Sequence, residues 1–105
     1  MVQCKTIDKV CKENNIHKID LLKLDIQGSE LDALCGADNL LKNGKIDLIY
    51  TEISIFPSYN NQGGLDKIIS YLNKFSYNLF NIYKSIHRDG QLMEIDVLFV
   101  RSSLL

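Results

Sequence analysis

The chain has 105 residues, of which 46% are hydrophobic and 24% are charged, values typical of one globular domain. Twelve Lys and Arg against thirteen Asp and Glu give a formal net charge of -1. Nucleic-acid-binding and membrane-surface domains carry a basic excess, so this balance argues against both classes. No apolar run has the roughly 20 residues that a membrane-spanning helix needs, and the first residues lack the apolar core of a signal peptide. We therefore expect a cytoplasmic protein without nucleic-acid or membrane partners.

The cysteines and histidines do not form a metal-binding pattern. Cys4, Cys11 and Cys35 are widely spaced, and His17 and His87 are isolated from them and from each other. A structural zinc site needs closely spaced ligand pairs. We therefore expect no metal site, and reduced, mostly buried thiols, since free cysteine is among the most buried residue types.

The first half of the chain begins with a helix and a strand. Thr6 is a candidate N-cap for a short helix over Ile7–Asn14. The run Ile19–Ile26 is short and dense in Leu and Ile, which predicts a strand buried on both faces, as in parallel α/β sheets. Ser29 is a candidate N-cap for a following helix that ends near Gly36. Leu40 and Leu41 then close a second short helical turn.

The second half contains one helix between strands. A second buried strand is predicted at Ile46–Ile55, followed by a polar loop from Pro57 to Gly64. The apolar residues from Leu65 to Phe75 keep helical spacing, the clearest amphipathic helix in the sequence. Two further strands, Tyr77–Ile86 and Gln91–Arg101, flank Asp89-Gly90, a strong hairpin signal.

The resulting order, α-β-α-β-α-β-β, predicts an α/β fold. Strands that alternate with helices imply right-handed parallel crossovers. The terminal hairpin then adds one antiparallel strand. We expect a sheet of about four strands with flanking helices.

Polar residues occupy the ends of the first two predicted strands. Ligands of open α/β sheets bind beyond the carboxyl ends of the strands. Lys23 and Asp25 share one face of the first strand by its two-residue period, and Glu52 of the second strand reaches either of them if the strands are neighbours. A lysine and a carboxylate in a buried strand need partners. Two readings stay open: a structural ion pair that caps the sheet, and a polar cluster at a ligand crevice.

Other candidate positions have equally plain structural explanations. Gly28 permits either a tight turn or close approach to a ligand. Glu30 lies in the first turn of a helix, where it either stabilises the helix dipole or serves a site. His87 and Arg88 beside the hairpin are catalytic or merely solvated, and the polar loop residues 59–62 shape a pocket or only connect two elements. No phosphate-binding loop and no nucleophile–base pair is present.

Several stretches of the sequence resemble FkbM-type methyltransferases, and the resemblance covers nearly the whole chain. The more specific part is the string Lys-Leu-Asp-Ile-Gln-Gly-Ser-Glu, residues 23–30. The other matching segments are Thr6-Ile7-Asp8, residues 19–22, Leu31, Leu34-Cys35-Gly36-Ala37, Leu40-Leu41, Thr51-Glu52-Ile53 and Asp96-Val97-Leu98-Phe99-Val100.

The resemblance implies a partial Rossmann-like, class I methyltransferase sheet that uses S-adenosylmethionine. In that fold a seventh, antiparallel strand lies between the fifth and sixth strands, and the predicted strands correspond to the fourth to seventh. Family members methylate hydroxyl groups on sugars, polyketides and other metabolites, so the implied partner is a small-molecule or glycan acceptor. The family's glycine-rich cofactor loop and ribose-binding acid precede the segment that this chain resembles. We therefore expect residues 1–105 to be the carboxyl-terminal portion of a methyltransferase domain, and to bind cofactor weakly alone.

The polar cluster and the resemblance together give the candidate site residues. The resemblance matches residues 25–30 and Glu52, whereas Lys23 comes from the polar strand end and His87 is a candidate base beside the hairpin. The candidate catalytic residues are therefore Asp25, Lys23, Glu52 and His87. The candidate cofactor-binding residues are Asp25, Ile26, Gln27, Gly28 and Glu30. The alternative reading is a non-catalytic α/β interaction or scaffold module; a response-regulator-like domain is a weaker third. In the family's fold the first strand flanks the strand that corresponds to residues 19–26. That first strand is not among the strands predicted here. We therefore expect residues 19–26 to form an exposed apolar edge that drives homo-oligomerisation or aggregation.

Overall fold

A computed structural model describes residues 5–26, 28–55 and 64–105, which form a mixed α/β structure with a four-stranded sheet and flanking helices. The element order confirms the predicted α-β-α-β-α-β-β pattern, with the second helix interrupted at Gly36. The elements are α1 Ile7–Glu13, β1 Ile19–Leu24, α2 Glu30–Cys35, α3 Asp38–Lys42, β2 Ile46–Ser54, α4 Leu65–Asn73, β3 Tyr77–Arg88 and β4 Gln91–Arg101, with a short 3-10 turn at Ser102–Leu104.

The strand order is β1-β2-β4-β3, and β4 is the antiparallel member. β1 and β2 pair in parallel, so their carboxyl ends lie at the same edge of the sheet. β4 lies between β2 and β3 and runs antiparallel to both. Its first residues therefore lie at the same edge as the carboxyl ends of β1 and β2. The predicted hairpin is confirmed: Asp89 and Gly90 have φ values of 51° and 81°, as a type I′ turn requires.

The core lies between the helices and one face of the sheet. Alternate residues of β2 and β4 on this helix-covered face are fully buried, because they pack against apolar side chains of α2, α3 and α4. The sheet residues are Ile49, Thr51, Ile53, Ile95, Val97 and Phe99, and the helix residues include Leu34, Leu41, Ile68 and Leu72. On the opposite face, here called the open face, Leu48, Tyr50, Glu52, Asp96 and Leu98 are only half-buried. The helices of the described chain therefore cover one face of the sheet.

Hydrogen bonds from the backbone to a side chain join α1 to α3. The Asp8 carboxylate of α1 accepts from the backbone N–H groups of Asn39 and Leu40 at 2.8 and 3.1 Å, which ties α1 to α3. The predicted N-cap is confirmed, since the Thr6 hydroxyl oxygen accepts from Lys9 N at 3.1 Å.

None of the helices in the described part of the chain is both long and apolar enough to cross a membrane.

The prediction that the first strand is buried on both faces is wrong. β1 lies at the edge of the described sheet and ends at Leu24, so Asp25 follows the strand instead of belonging to it. Leu24 is buried, but Leu21 is 54% exposed and Lys23 is exposed too. A run of Leu and Ile reports how apolar a strand is, and it does not report whether neighbours cover it.

The prediction of mostly buried thiols holds for one of the two described cysteines. Cys11 is buried, whereas Cys35 is exposed at the end of α2. The adjacent Leu34 takes the core-facing position of that helical turn, so Cys35 points away from the core. Cys4 lies outside the described residues.

Self-association through β1 stays a prediction. β1 pairs only with β2 in the described structure, and its other edge carries backbone groups that are a template for another strand. Sedimentation velocity at high protein concentration should show a dimer or larger species. Leu21→Lys should shift the chain towards monomer by placing charge beside that edge, whereas Lys42→Gln on α3 should not. A monomer at every concentration would contradict the prediction.

Candidate functional site

Three carboxyl groups meet where β1 and β2 end. Asp25 follows β1, and Glu52 lies near the end of β2. Glu94 joins them because β4 runs in the opposite direction, so that its early residue Glu94 lies opposite Ser54 of β2. Asp25 and Glu94 both act on Glu52 through hydrogen bonding and charge. We call Asp25, Glu52 and Glu94 the carboxyl cluster.

The surroundings of Glu52 favour its protonated form. Burial, a side-chain hydrogen bond with Asp25 and the negative charge of Glu94 raise the pKa of Glu52 from 4.5 to about 7. Like charges this close oppose simultaneous ionisation, so the cluster holds a proton near neutral pH. A carboxyl group whose pKa lies near neutrality can both accept and donate a proton in catalysis.

The loop between β1 and α2 is folded around the Glu30 side chain. Glu30 is only 4% exposed, and its two carboxylate oxygens accept from Ile26 N at 3.0 Å and from Gly28 N at 2.9 Å. Gly28 has a φ of +96°, a conformation that other residues rarely adopt. Ser29 occupies the predicted N-cap position of α2, but its side chain makes no capping hydrogen bond, so that part of the prediction is wrong.

Lys23 does not form the ion pair that one reading of the sequence required. It lies opposite Tyr50 in the sheet register and is exposed. Within the described residues, the ion pairs do not include Lys23. Because Lys23 is exposed to water on an edge strand, its side chain is hydrated and needs no ion-pair partner. The geometry therefore brings Asp25 and Glu52 together without Lys23.

The remaining predicted positions are dispersed. His87 and Arg88 are exposed at the end of β3, at the same end of the sheet as the carboxyl cluster but two strands away from β2. His87 lies opposite Leu92 in the register of the hairpin. Gln27 and the polar loop residues 59–62 lie outside the described residues. Ile26 and Gly28 contribute their backbone to the loop that Glu30 holds.

Sequence reasoning missed Glu94, Tyr50 and Asp96. The Tyr50 hydroxyl donates to Asp96 Oδ2 at 3.0 Å on the open face, and this hydrogen bond raises the pKa of Tyr50. The Tyr83 ring lies 6.3 Å from the Tyr50 ring, measured between centroids. The available signal was the alternation of acids with apolar residues in β4, but the residues that face these acids depend on the sheet register.

The described residues contain no group of three or more His, Cys, Asp or Glu side chains arranged to hold a metal ion.

Comparison with known proteins identifies the family. The family model described as Methyltransferase FkbM domain matches residues 1–79, which include the carboxyl-end residues of β1 and β2. The chain belongs to the FkbM methyltransferase family.

A curated relative aligns with part of this chain. It is 2-O-methyltransferase NoeI of Sinorhizobium fredii (strain NBRC 101917 / NGR234), 35% identical over 74 residues. The aligned segment covers 70% of this chain and 30% of that relative, so the chain spans less than a third of the relative's length. No solved structure matches the chain.

Removing the Glu52 carboxyl should change how stability depends on pH. With a pKa of about 7 in the folded chain and 4.5 ordinarily, Glu52 binds its proton more tightly when folded. Its ionisation therefore lowers stability as pH rises from about 4.5 to 7. Denaturant unfolding should show Glu52→Gln gaining stability relative to the unmodified chain across this range, and Glu94→Gln should reduce the same pH dependence. Parallel pH curves for all three proteins would contradict the assignment.

Substitution of Gly28 should act through the backbone alone. A Cβ at this position would meet no heavy atom within 4 Å, but the φ of +96° is unfavourable for alanine. We expect Gly28→Ala to cost about 1–2 kcal/mol in the free energy of unfolding. The neighbouring Ser29→Ala removes an exposed side chain without a capping bond and should change it by less than about 0.5 kcal/mol. Equal effects of the two substitutions would show that the loop tolerates another conformation.

Proposed function

We propose that this chain is the carboxyl-terminal portion of an S-adenosylmethionine-dependent O-methyltransferase that acts on a hydroxyl group of a sugar or other metabolite. The observation that carries the proposal is the FkbM family match, which includes the residues of the loop after β1. The name of the relative, a 2-O-methyltransferase, supports an oxygen atom as the methyl acceptor.

The sheet topology supports a Rossmann-like arrangement. Two parallel strands, β1 and β2, are followed in space by the antiparallel β4 and then by β3. This is the order that the family resemblance implies for the last four of seven strands. We therefore propose that the rest of the sheet, with the glycine-rich cofactor loop, belongs to a segment outside residues 1–105.

The loop after β1 has room beside it for a ligand. An added side chain at Gly28 would meet open space, so a ligand can approach the backbone there. We propose that Asp25, Ile26 and Gly28 border the bound cofactor, together with the predicted contact Gln27. When bound, S-adenosylmethionine supplies an electrophilic methyl group.

The carboxyl cluster is the proposed proton acceptor. The acceptor hydroxyl must lose its proton as its oxygen gains the methyl group, and a positioned carboxylate takes up such a proton. Asp25 forms a side-chain hydrogen bond with Glu52, and the pKa of Glu52 is raised to about 7, which suits proton transfer near neutral pH. Alignment of the acceptor oxygen with the methyl group contributes further to the rate. Lys23 and His87 stay predicted catalytic residues, without a contact to the cluster.

A non-catalytic interaction module is the second candidate function. The observation that favours it is the exposed apolar surface of β3, which includes Phe80, Ile82, Tyr83 and Ile86. Exposed apolar patches of this kind mark interaction surfaces. Calorimetric titration of the chain with S-adenosylmethionine separates the two functions in part, since an interaction module has no reason to bind this ligand.

Substitution of Asp25 tests the catalytic proposal. In the intact methyltransferase, Asp25→Asn should lower kcat by roughly 10²–10⁴-fold because it removes a general base. The exposed Asp20 lies on β1, the strand that Asp25 follows, so Asp20→Asn loses the same charge and should leave kcat unchanged. Steady-state kinetics with S-adenosylmethionine and a hydroxylated acceptor measures both. Unchanged turnover in Asp25→Asn would remove Asp25 from the mechanism, and absence of methyl transfer in the unmodified enzyme would refute the proposed function.

A further inference from the structure

The burial of Glu30 requires an explanation. Carboxylates are almost never fully buried unless they are paired, because removing the charge from water is costly. Glu30 is 4% exposed, and no ion pair of the described residues involves it. Its charge is instead compensated by the two backbone N–H groups of the preceding loop, at 3.0 and 2.9 Å. Hydrogen bonds to an ionised acceptor are roughly twice as strong as neutral ones.

We propose that Glu30 is a positioning residue, whose carboxylate holds the loop after β1 in the shape that places Asp25 against Glu52. The donors, Ile26 N and Gly28 N, lie on either side of residue 27, so one side chain fixes both arms of the turn. Asp25 directly precedes the first of these donors. Its departure from β1 towards Glu52 is therefore set by the bond to Glu30.

The simpler explanation, that Glu30 only stabilises the α2 dipole, does not account for this geometry. Asp32 lies in the same first turn and is exposed, as a carboxylate that serves a helix dipole can be. Glu30 is buried, and both of its oxygens point back to the loop instead of to the N–H groups of its own helix. The two carboxylates of this turn thus provide a matched pair for experiment.

The inference has one part that stands without the proposed function. The hydrogen bonds of Glu30, and their effect on the Asp25–Glu52 contact, are properties of this chain. The consequence for methyl transfer rests on the proposed function.

Direct detection needs no substitution. In the isotopically labelled chain, through-hydrogen-bond NMR couplings should connect the Glu30 carboxylate carbon with the amide nitrogens of Ile26 and Gly28. This measurement remains decisive if variants at Glu30 fail to fold. Absence of both couplings, with the two amide protons exchanging as fast as those of unstructured peptides, would overturn the proposal.

Glu30→Gln and Asp32→Asn test the positioning role. Glutamine keeps the size of Glu30 but presents an NH₂ group to one of the two loop N–H donors, so that one donor loses its acceptor. Amide exchange at Ile26 and Gly28 should accelerate by about tenfold or more in Glu30→Gln, roughly the effect of losing one such hydrogen bond. Amides of β2 should be unaffected. Asp32→Asn should change neither region, whereas a dipole role predicts similar effects of both substitutions.

The titration of Glu52 reports whether the loop positions Asp25. The acidic groups that face Glu52 are Asp25 from the loop and Glu94 from β4, which both raise its pKa, and Asp96, which lies directly opposite Glu52 in the sheet register. If Glu30 holds Asp25 in place, carbon-detected NMR titration should show the Glu52 pKa falling from about 7 towards its ordinary value in Glu30→Gln. It should not move in Asp32→Asn. An unchanged Glu52 titration in a folded Glu30→Gln chain would refute the positioning role, whatever the outcome of methyl-transfer assays.

Discussion

The parallel pairing of β1 with β2 is the constraint on which the site depends. Lys23 lies opposite Tyr50 and Leu24 opposite Thr51, so both strands reach their carboxyl ends together. The next residue after β1, Asp25, therefore meets Glu52 of β2, and the antiparallel β4 returns Glu94 to the same place. Local sequence supplies the three carboxyl groups, but only the pairing of the strands brings Asp25 and Glu94 next to Glu52. The crossover through α2 and α3 is what makes the two strands run in the same direction.

The sequence predicted the elements well because their signals are local. The helical spacing from Leu65 and the Asp89-Gly90 turn depend on a few adjacent residues, and both are confirmed. Burial of β1 and the presence of Glu94 in the cluster could not be predicted in the same way. The first depends on whether other elements cover the open face at Leu21, and the second on which residue of β4 lies opposite Ser54. Both are properties of the assembled sheet, and one sequence carries no direct record of register.

The loop after β1 shows a finer limit of sequence reasoning. Serine before a helix and acids in its first turn are common signs of an N-terminus, and they predict a capping serine and dipole-stabilising carboxylates. The structure uses the same residues differently: Ser29 makes no capping bond, and Glu30 turns back to the loop. Whether Glu30 bonds to its own helix or to the preceding loop depends on which backbone N–H groups its carboxylate can contact. The positive φ of Gly28 belongs to the loop conformation in which the N–H groups of Ile26 and Gly28 are both within hydrogen-bond distance of that carboxylate.

The two faces of the sheet explain how a four-stranded sheet with helices on one face can carry a defined site. The helix-covered face has a complete core, which fixes the register of β2 and β4 and with it the positions of Glu52 and Glu94. The site does not depend on burial of the open face, because Glu30 holds the loop through hydrogen bonds to the backbone of its own chain. On the proposed function, the segment that carries the cofactor loop then meets a preformed proton acceptor. On the same proposal the chemistry is divided: this chain would position the carboxyl groups, and the remainder of the domain the methyl donor.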